Sequence, residues 1–166
     1  MRDWTRFEWD SFKPNSVCTL CFILVDNQLL LIRRKVEPHV GLVNGPGGKV
    51  EPGETADQAS IRECYEETGA IPVNQKHRGT LKFAFDNEFN LRVEVYLAEQ
   101  YEGEIHETDE AVPFWCQVNQ IPYDETWPDD PYWIPVLLDL KEERKFECRA
   151  KLSDTNLMEI PQLTFQ

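Results

Sequence analysis

The sequence predicts an α/β fold in which a mixed β-sheet lies between helices. A nearly unbroken apolar run, Val17 to Val25, has the β-branched and aromatic content of a strand buried on both faces. Two further pairs of alternating segments are joined by short polar turns. One capped helical segment precedes these pairs, and a second lies between them. At 166 residues and 41% hydrophobic content, the chain has the material for one core and little room for two. We therefore expect one domain over residues 16–166, preceded by an extension of residues 1–15.

The extension is polar but carries Trp4, Phe7, Trp9 and Phe12, too aromatic for a solvated tail, which implies packing against the domain or a partner subunit. After Val25, Asp26-Asn27 turns the chain into Gln28–Ile32, a hairpin. Arg33, Arg34 and Lys35 close that second strand. A loop containing Gly45, Pro46, Gly47, Gly48, Pro52 and Gly53 follows, a composition that permits unusual backbone angles and close approach of the main chain. A helix begins directly after it. Thr55 with Gln58 has the form of a capping box, no Gly or Pro interrupts the next turns, and Gly69 supplies the stop. Thr80–Phe85 and Leu91–Ala98 alternate and flank the polar turn DNEFN, so they form a second hairpin, with Phe83 and Phe85 on one face. The acidic run Glu102–Glu110 reads as a solvated loop leading into a strand at Phe114–Val118. Pro131–Leu140 reads as a helix with Asp130 as its N-cap, and Lys145–Leu152 and Leu157–Ile160 as a terminal strand pair turning at Ser153–Asn156.

The chemistry concentrates on the first helix. Glu63, Glu66 and Glu67 stand at i, i+3 and i+4 and share a face with no lysine among them. Each like-charged pair costs a helix about 0.2–0.5 kcal/mol, so the cluster calls for water or a cation. A solvated face explains an acidic stripe by itself but leaves the glycine loop in front of it unexplained. Carboxylates and loop carbonyls are hard oxygen donors of the kind that bind Mg²⁺.

Gly48, Glu54, Arg62-Glu63, Glu66-Glu67 and Gly69, at these spacings, resemble the signature of the Nudix hydrolases, and all seven fixed positions match. Cys64 and Ala70 stand where that family usually has larger aliphatic residues. The resemblance implies a Nudix-type α/β/α sandwich and a metal-dependent hydrolase. It assigns Mg²⁺, with Mn²⁺ as a substitute, to Glu63, Glu66 and Glu67 beside Gly48. Arg62 pairs with Glu54 to brace the loop. Glu67 or Glu66 on the helix, or Glu110 just ahead of the later strand, would activate water.

Within that family, QIPYDETWPDDPYW (residues 120–133) and NGPGGKV (residues 44–50) resemble the eukaryotic oxidised purine nucleoside triphosphatases, the 8-oxo-dGTP hydrolases. By this resemblance Trp127 stacks on the purine, Asp129 and Asp130 read its edge and Asn44 contacts the base. Independently of the resemblance, Phe83 reads as core by default with a pocket wall as the functional alternative, and Arg34, with Arg33 and Lys35, is either a solubilising strand-end charge or a cation near where phosphates would enter. Two adjacent buried carboxyls resist double ionisation, so one would donate and one accept. The implied partner is a purine (deoxy)nucleoside triphosphate, oxidised as in 8-oxo-dGTP, cleaved to the monophosphate and pyrophosphate. Val43, Pro46 and Pro38 stand where those enzymes carry aromatics. Unmodified dGTP and nucleotide sugars therefore remain alternative substrates, and a nucleotide sensor without catalysis is a non-enzymatic alternative.

The net charge of −13, from 17 basic and 30 acidic residues, argues against general nucleic-acid or anionic-membrane binding. No apolar run reaches the length of a signal core or a membrane span. Cysteines 18, 21, 64, 116 and 148 lie mostly in strand-like apolar surroundings, and Cys18-x-x-Cys21 lacks a second ligand pair for zinc. Buried free thiols and a cytoplasmic location are expected, while the oligomeric state stays open.

Overall fold

The computed structural model describes residues 1–166. In chain order its strands are β1 (Ser16–Val25), β2 (Gln28–Arg34), β3 (Val43–Asn44), β4 (Gly47–Lys49), β5 (Ala70–Val73), β6 (Lys76–Phe85), β7 (Asn90–Ala98), β8 (Gln100–Gly103), β9 (Ala111–Gln117), β10 (Phe146–Ser153), β11 (Asn156–Leu157) and β12 (Gln162–Phe165). Helix α1 (Ala56–Thr68) lies between β4 and β5, and α2 (Asp130–Leu137) between β9 and β10. No helix is long and apolar enough to cross a membrane.

The main sheet runs β11-β10-β6-β7-β1-β2-β3, with β12 on β10, β4 on β1 and β9 on β2. It is mixed, since β1 runs parallel to β7 and β10 parallel to β6 while the other pairs are antiparallel. Asp26 and Asn27 both take positive φ (51° and 58°), the backbone of a tight hairpin turn whose twist matches the strands. The hairpin holds for only two residue pairs, Leu24↔Leu29 and Val25↔Gln28. Beyond them β1 continues against β4 and β7, while β2 leaves to pair with β9 and β3. The glycine loop occupies the resulting split.

Side chains alternate across a strand, so neighbours in sequence enter different cores. Phe22, Leu31, Leu81 and Val95 pack with Trp133, Ile134 and Leu137 of α2, whereas Cys21, Ile23 and Leu30 pack with Cys64 of α1. The sheet thus lies between the helices as expected. All five cysteines are free; Cys18 and Cys21 face opposite sides of β1, joining the larger and the smaller core respectively.

The N-terminal extension packs on the domain. Trp4, Phe7, Trp9 and Phe12 form a chain of ring contacts 5.1–5.7 Å apart. It lies over the outward cations of β6 and β10: Lys82 is 5.9 Å from the Phe12 ring, Arg149 5.8 Å from Trp9 and Lys151 5.6 Å from Trp4. Arg2 ties its start to the β6–β7 turn through a 2.7 Å bond to Asn90 Oδ1.

Several elements differ from expectation, among them the unanticipated short strands β3, β4 and β5 and the start of β6 at Lys76 instead of Thr80. The acidic run begins as a strand, because β8 pairs with β5 and Tyr101 packs against the smaller core, a partnership of distant segments that polar composition conceals. The later strand starts at Ala111 instead of Phe114, its register with β2 extending to Ala111↔Arg34. Helix α2 is shorter than Pro131–Leu140, spanning Asp130–Leu137 with Leu138 as its C-cap and Asp139 directly after. Its N-cap is Asp129, not Asp130, and that side chain makes no capping bond because it is turned inward. At the C-terminus β11 covers only Asn156–Leu157, while β12 beyond Pro161 pairs with the first half of β10. Ile160 is left exposed.

Candidate active site

Helix α1 forms as its sequence dictates. The Thr55 hydroxyl accepts from Gln58 N, the Gln58 side chain accepts from Thr55 N, and Gly69 closes the helix in the left-handed region at φ 79°. The glycine loop then approaches the helix and β1 too closely for any side chain. A Cβ on Gly47 would overlap the Thr19 carbonyl oxygen, and one on Gly48 would overlap the Glu63 carboxyl group. That closeness lets Gly47 N–H donate to Glu67 Oε1 at 2.7 Å.

Arg62 braces the loop as expected. It donates to both Glu54 oxygens (Nη2 at 2.6 Å, Nε at 3.0 Å) and to the Lys49 carbonyl at 3.1 Å. It does more than the sequence suggested, since Nη1 also reaches Glu63 Oε1 at 2.8 Å and Glu66 Oε2 at 3.2 Å. The three helix carboxylates share a face but do not converge as a three-carboxylate cage. Glu63 and Glu66 turn to the guanidinium, while Glu67 turns inward to the loop amide. Burial raises the Glu63 carboxyl despite Arg62 beside it. Glu67, 3% exposed, is pushed up to about 8 by burial, with the charges of Glu63 and Glu110 adding to the effect against the Gly47 bond. Arg62 is the cation that this arrangement holds now. The donors fit a hard divalent ion: the carboxyls are oxygen ligands, and the one guanidinium of Arg62 faces Glu54, Glu63 and Glu66, so their charge is only partly neutralised.

Glu110 comes to the same place from the other side. Its backbone carbonyl accepts from Lys35 N, and its charge acts on both Glu63 and Glu67. Thr108, which the sequence reading passed over, docks this segment by donating to the Glu67 carbonyl at 3.1 Å while its hydroxyl accepts from Ala111 N at 3.2 Å. A threonine bonding three residues ahead is a turn signal that the acidic composition masks.

One cavity of about 230 Å³ adjoins this site. Gly47 and Gly48 line it, together with Asn44, Arg34, Phe83, Trp127, Asp129 and Asp130. The structure therefore brings the base-pocket and loop residues named from sequence into one space. Val43, Pro46 and Pro38, the departures noted above, are not in its lining. Of the three cations at the end of β2 only Arg34 faces it; Arg33 pairs with Glu125 at 3.0 Å and Lys35 with Glu107 at 2.7 Å. Asp129 and Asp130 are 2% and 3% exposed. Burial raises both carboxyls, and Asp130 rises further because the Asp129 charge adds to it. Asp129 Oδ2 accepts from Trp133 Nε1 at 2.9 Å, a bond that favours the ionised form there. Asn44 Oδ1 accepts from Gly45 N at 2.9 Å, which turns its NH₂ group outward as the group left to donate.

The NUDIX domain profile matches residues 14–137. A zebrafish (Danio rerio) protein named oxidized purine nucleoside triphosphate hydrolase is 39% identical over 129 residues, covering 76% of this chain and 82% of the fish protein. The mouse (Mus musculus) protein of the same name is 37% identical over 138 residues, covering 82% of this chain and 86% of its own. Among solved structures, a MutT protein from Bacillus halodurans superposes with a TM-score of 0.78 over 89% of this chain and 97% of its own, at 23% identity, a likeness of fold.

Proposed function

The chain belongs to the Nudix hydrolase family, and from that premise we propose that it converts a purine nucleoside triphosphate, oxidised as in 8-oxo-dGTP, to the monophosphate and pyrophosphate. The observation that carries this reading is the single cavity in which a buried aspartate pair and a tryptophan lie next to the glycine loop of α1. The zebrafish and mouse relatives, named for oxidised purine nucleoside triphosphates, support the same substrate class.

The base enters against Trp127, whose ring supplies stacking of about 1–3 kcal/mol. Asp130, the more strongly raised of the pair, keeps its proton and donates; Asp129, held by Trp133, ionises and accepts. One donor beside one acceptor suits the shifted hydrogen-bonding edge of an oxidised purine. Asn44 offers its NH₂ to the base, Phe83 closes the apolar side, and Arg34 meets the phosphates.

Glu63, Glu66 and Glu67, with the Gly48 carbonyl, would hold Mg²⁺ or Mn²⁺, which when bound polarises phosphate oxygens and screens the triphosphate in an acidic protein. Arg62 orients Glu63 and Glu66. With Oε1 held by Gly47, Glu67 takes the proton of the attacking water on Oε2. Glu110, whose charge acts on Glu67, is the alternative proton acceptor. Water adds at one phosphorus of the α–β anhydride and the bridging oxygen leaves on the other, giving the nucleoside monophosphate and pyrophosphate. The five free thiols support a reducing, cytoplasmic setting.

The test is product release with Mg²⁺ across 8-oxo-dGTP, 2-hydroxy-dATP, dGTP, GTP and ADP-ribose. A kcat/KM at least tenfold higher for the oxidised nucleotides, with pyrophosphate as product, is expected. Preference for dGTP would keep the pocket and remove the oxidised substrate, and cleavage of ADP-ribose alone would overturn the reading.

A further inference from the structure

The loop between β2 and β3 touches two groups that line the cavity, Trp127 and Arg34. At its tip His39 sits with φ 67°, and its ring lies 4.8 Å from that of Trp127 at 74°, a perpendicular contact between ring systems 88 positions apart in sequence. One residue earlier, the Pro38 carbonyl accepts from Arg34 Nε at 3.1 Å. The loop is itself closed by backbone bonds, Gly41 N to the Arg34 carbonyl at 2.8 Å and Leu42 N to the His39 carbonyl at 3.2 Å. His39 is exposed and needs no partner for burial, so core packing does not account for its position.

Trp127 is only half-buried and follows the irregular stretch ahead of α2. Its main chain is fixed by Asp130 N donating to its carbonyl at 3.1 Å, but an indole at a cavity edge is free to turn about its side-chain bonds unless another group blocks it. A perpendicular aromatic contact is a favoured geometry and fixes the plane of the ring. Stacking of a base requires that plane to be set before the base arrives, because ordering a side chain on binding subtracts from affinity.

We infer that His39 is a positioning residue for the base, holding the Trp127 ring at the angle the purine stacks on. The same loop fixes Arg34 from behind, so the side chains for the base and for the phosphates are set by one short segment. This rests on Trp127 being the stacking residue, as proposed above. The role belongs to the ring of His39, and no proton transfer is involved.

The test is a double-mutant cycle on the full chain, using 8-oxo-dGTP with Mg²⁺ and reading KM and kcat separately. His39→Asn removes the ring, and Asn is among the residues that tolerate a positive φ, so the loop backbone is spared. The expected result is a KM raised by about three- to tenfold with kcat within about twofold of the parent, the range of a single ring contact. In a Trp127→Ala background the same substitution should change nothing, since the ring it positions is gone. If Trp127→Ala weakens binding but His39→Asn does not, or if His39→Asn acts equally in both backgrounds, the positioning role is refuted and the base site stands. If Trp127→Ala itself leaves KM unchanged, the stacking assignment fails, and this inference with it.

Discussion

Replacing Glu67 by Gln sets what the fold prefers against what the reaction requires. Folding buries this carboxyl to 3% exposure and raises it from 4.5 to about 8 in the metal-free protein. A carboxyl raised on folding holds its proton more tightly in the native state than in the unfolded chain. Its contribution to stability is therefore complete below about pH 4.5 and is lost progressively as pH rises to about 8. At pH 7 the loss amounts to roughly 3 kcal/mol, at about 1.4 kcal/mol per unit. Gln cannot ionise and still accepts from Gly47 N–H, although its NH₂ group loses about 1 kcal/mol for want of a partner. The metal-free variant should thus exceed the parent by about 1–3 kcal/mol at pH 7, a gain in Tm of roughly 3–8 °C for a domain of this size. The gain should vanish near pH 4. Activity should move the other way, falling by about 10²–10⁴-fold with loss of the proton acceptor. Melting by circular dichroism in EDTA from pH 4 to 8.5, alongside pyrophosphate release with Mg²⁺, measures both. A difference in Tm that does not depend on pH would refute the burial argument, and turnover near that of the parent would remove the metal-site assignment.

Gly47→Ala places a Cβ onto the Thr19 carbonyl and displaces the amide that holds Glu67, so we expect about 2–5 kcal/mol of destabilisation and at least about a hundredfold loss in kcat/KM. An unchanged urea midpoint would show that the loop is not so tightly set. Asp129→Asn exchanges an ionised acceptor for an amide while leaving an oxygen for Trp133 Nε1. It should reorder preference among 8-oxo-dGTP, 2-hydroxy-dATP and dGTP by about tenfold or more; an unaltered ranking in competition assays would exclude the base-reading role. Removing residues 1–12 strips the aromatic cover from Lys82, Arg149 and Lys151. At about 0.5–1 kcal/mol per cation–ring contact, plus lost apolar burial, Tm should fall by roughly 5–10 °C, and calorimetry showing no change would mean that the extension contributes nothing to the fold.

Local rules made α1 legible. A capping box, a glycine stop and three acids at helical spacing are relations within a few residues of one another, and the structure reproduces each. The same holds for the Asp26-Asn27 turn, whose positive φ angles arise within the turn itself. The Arg62–Glu54 brace spans eight residues and was readable from motif spacing. The strand formed by Gln100–Gly103 was not readable, because its partner is Ala70–Val73 and pairing across that distance leaves no periodicity in a polar run.

By itself the sequence supplied the residues proposed to carry the chemistry: the carboxylates of α1 through their spacing and the Nudix signature, and the paired aspartates, Trp127 and Asn44 through the resemblance to the oxidised purine nucleoside triphosphatases. Tertiary structure decided how they stand toward one another. It split β1 from β2 and filled the gap with glycines, so that Gly47 reaches Glu67 and Arg62 takes both Glu63 and Glu66. It also carried Glu110 to the helix on Thr108, placed Asp129 at the N-cap of α2 with its side chain accepting from Trp133, and set His39 against Trp127. Burial and charge at a site are summed over every chain segment that meets there. A sequence supplies the groups, but the field they feel and the angle at which they meet arise only when the distant segments are packed together.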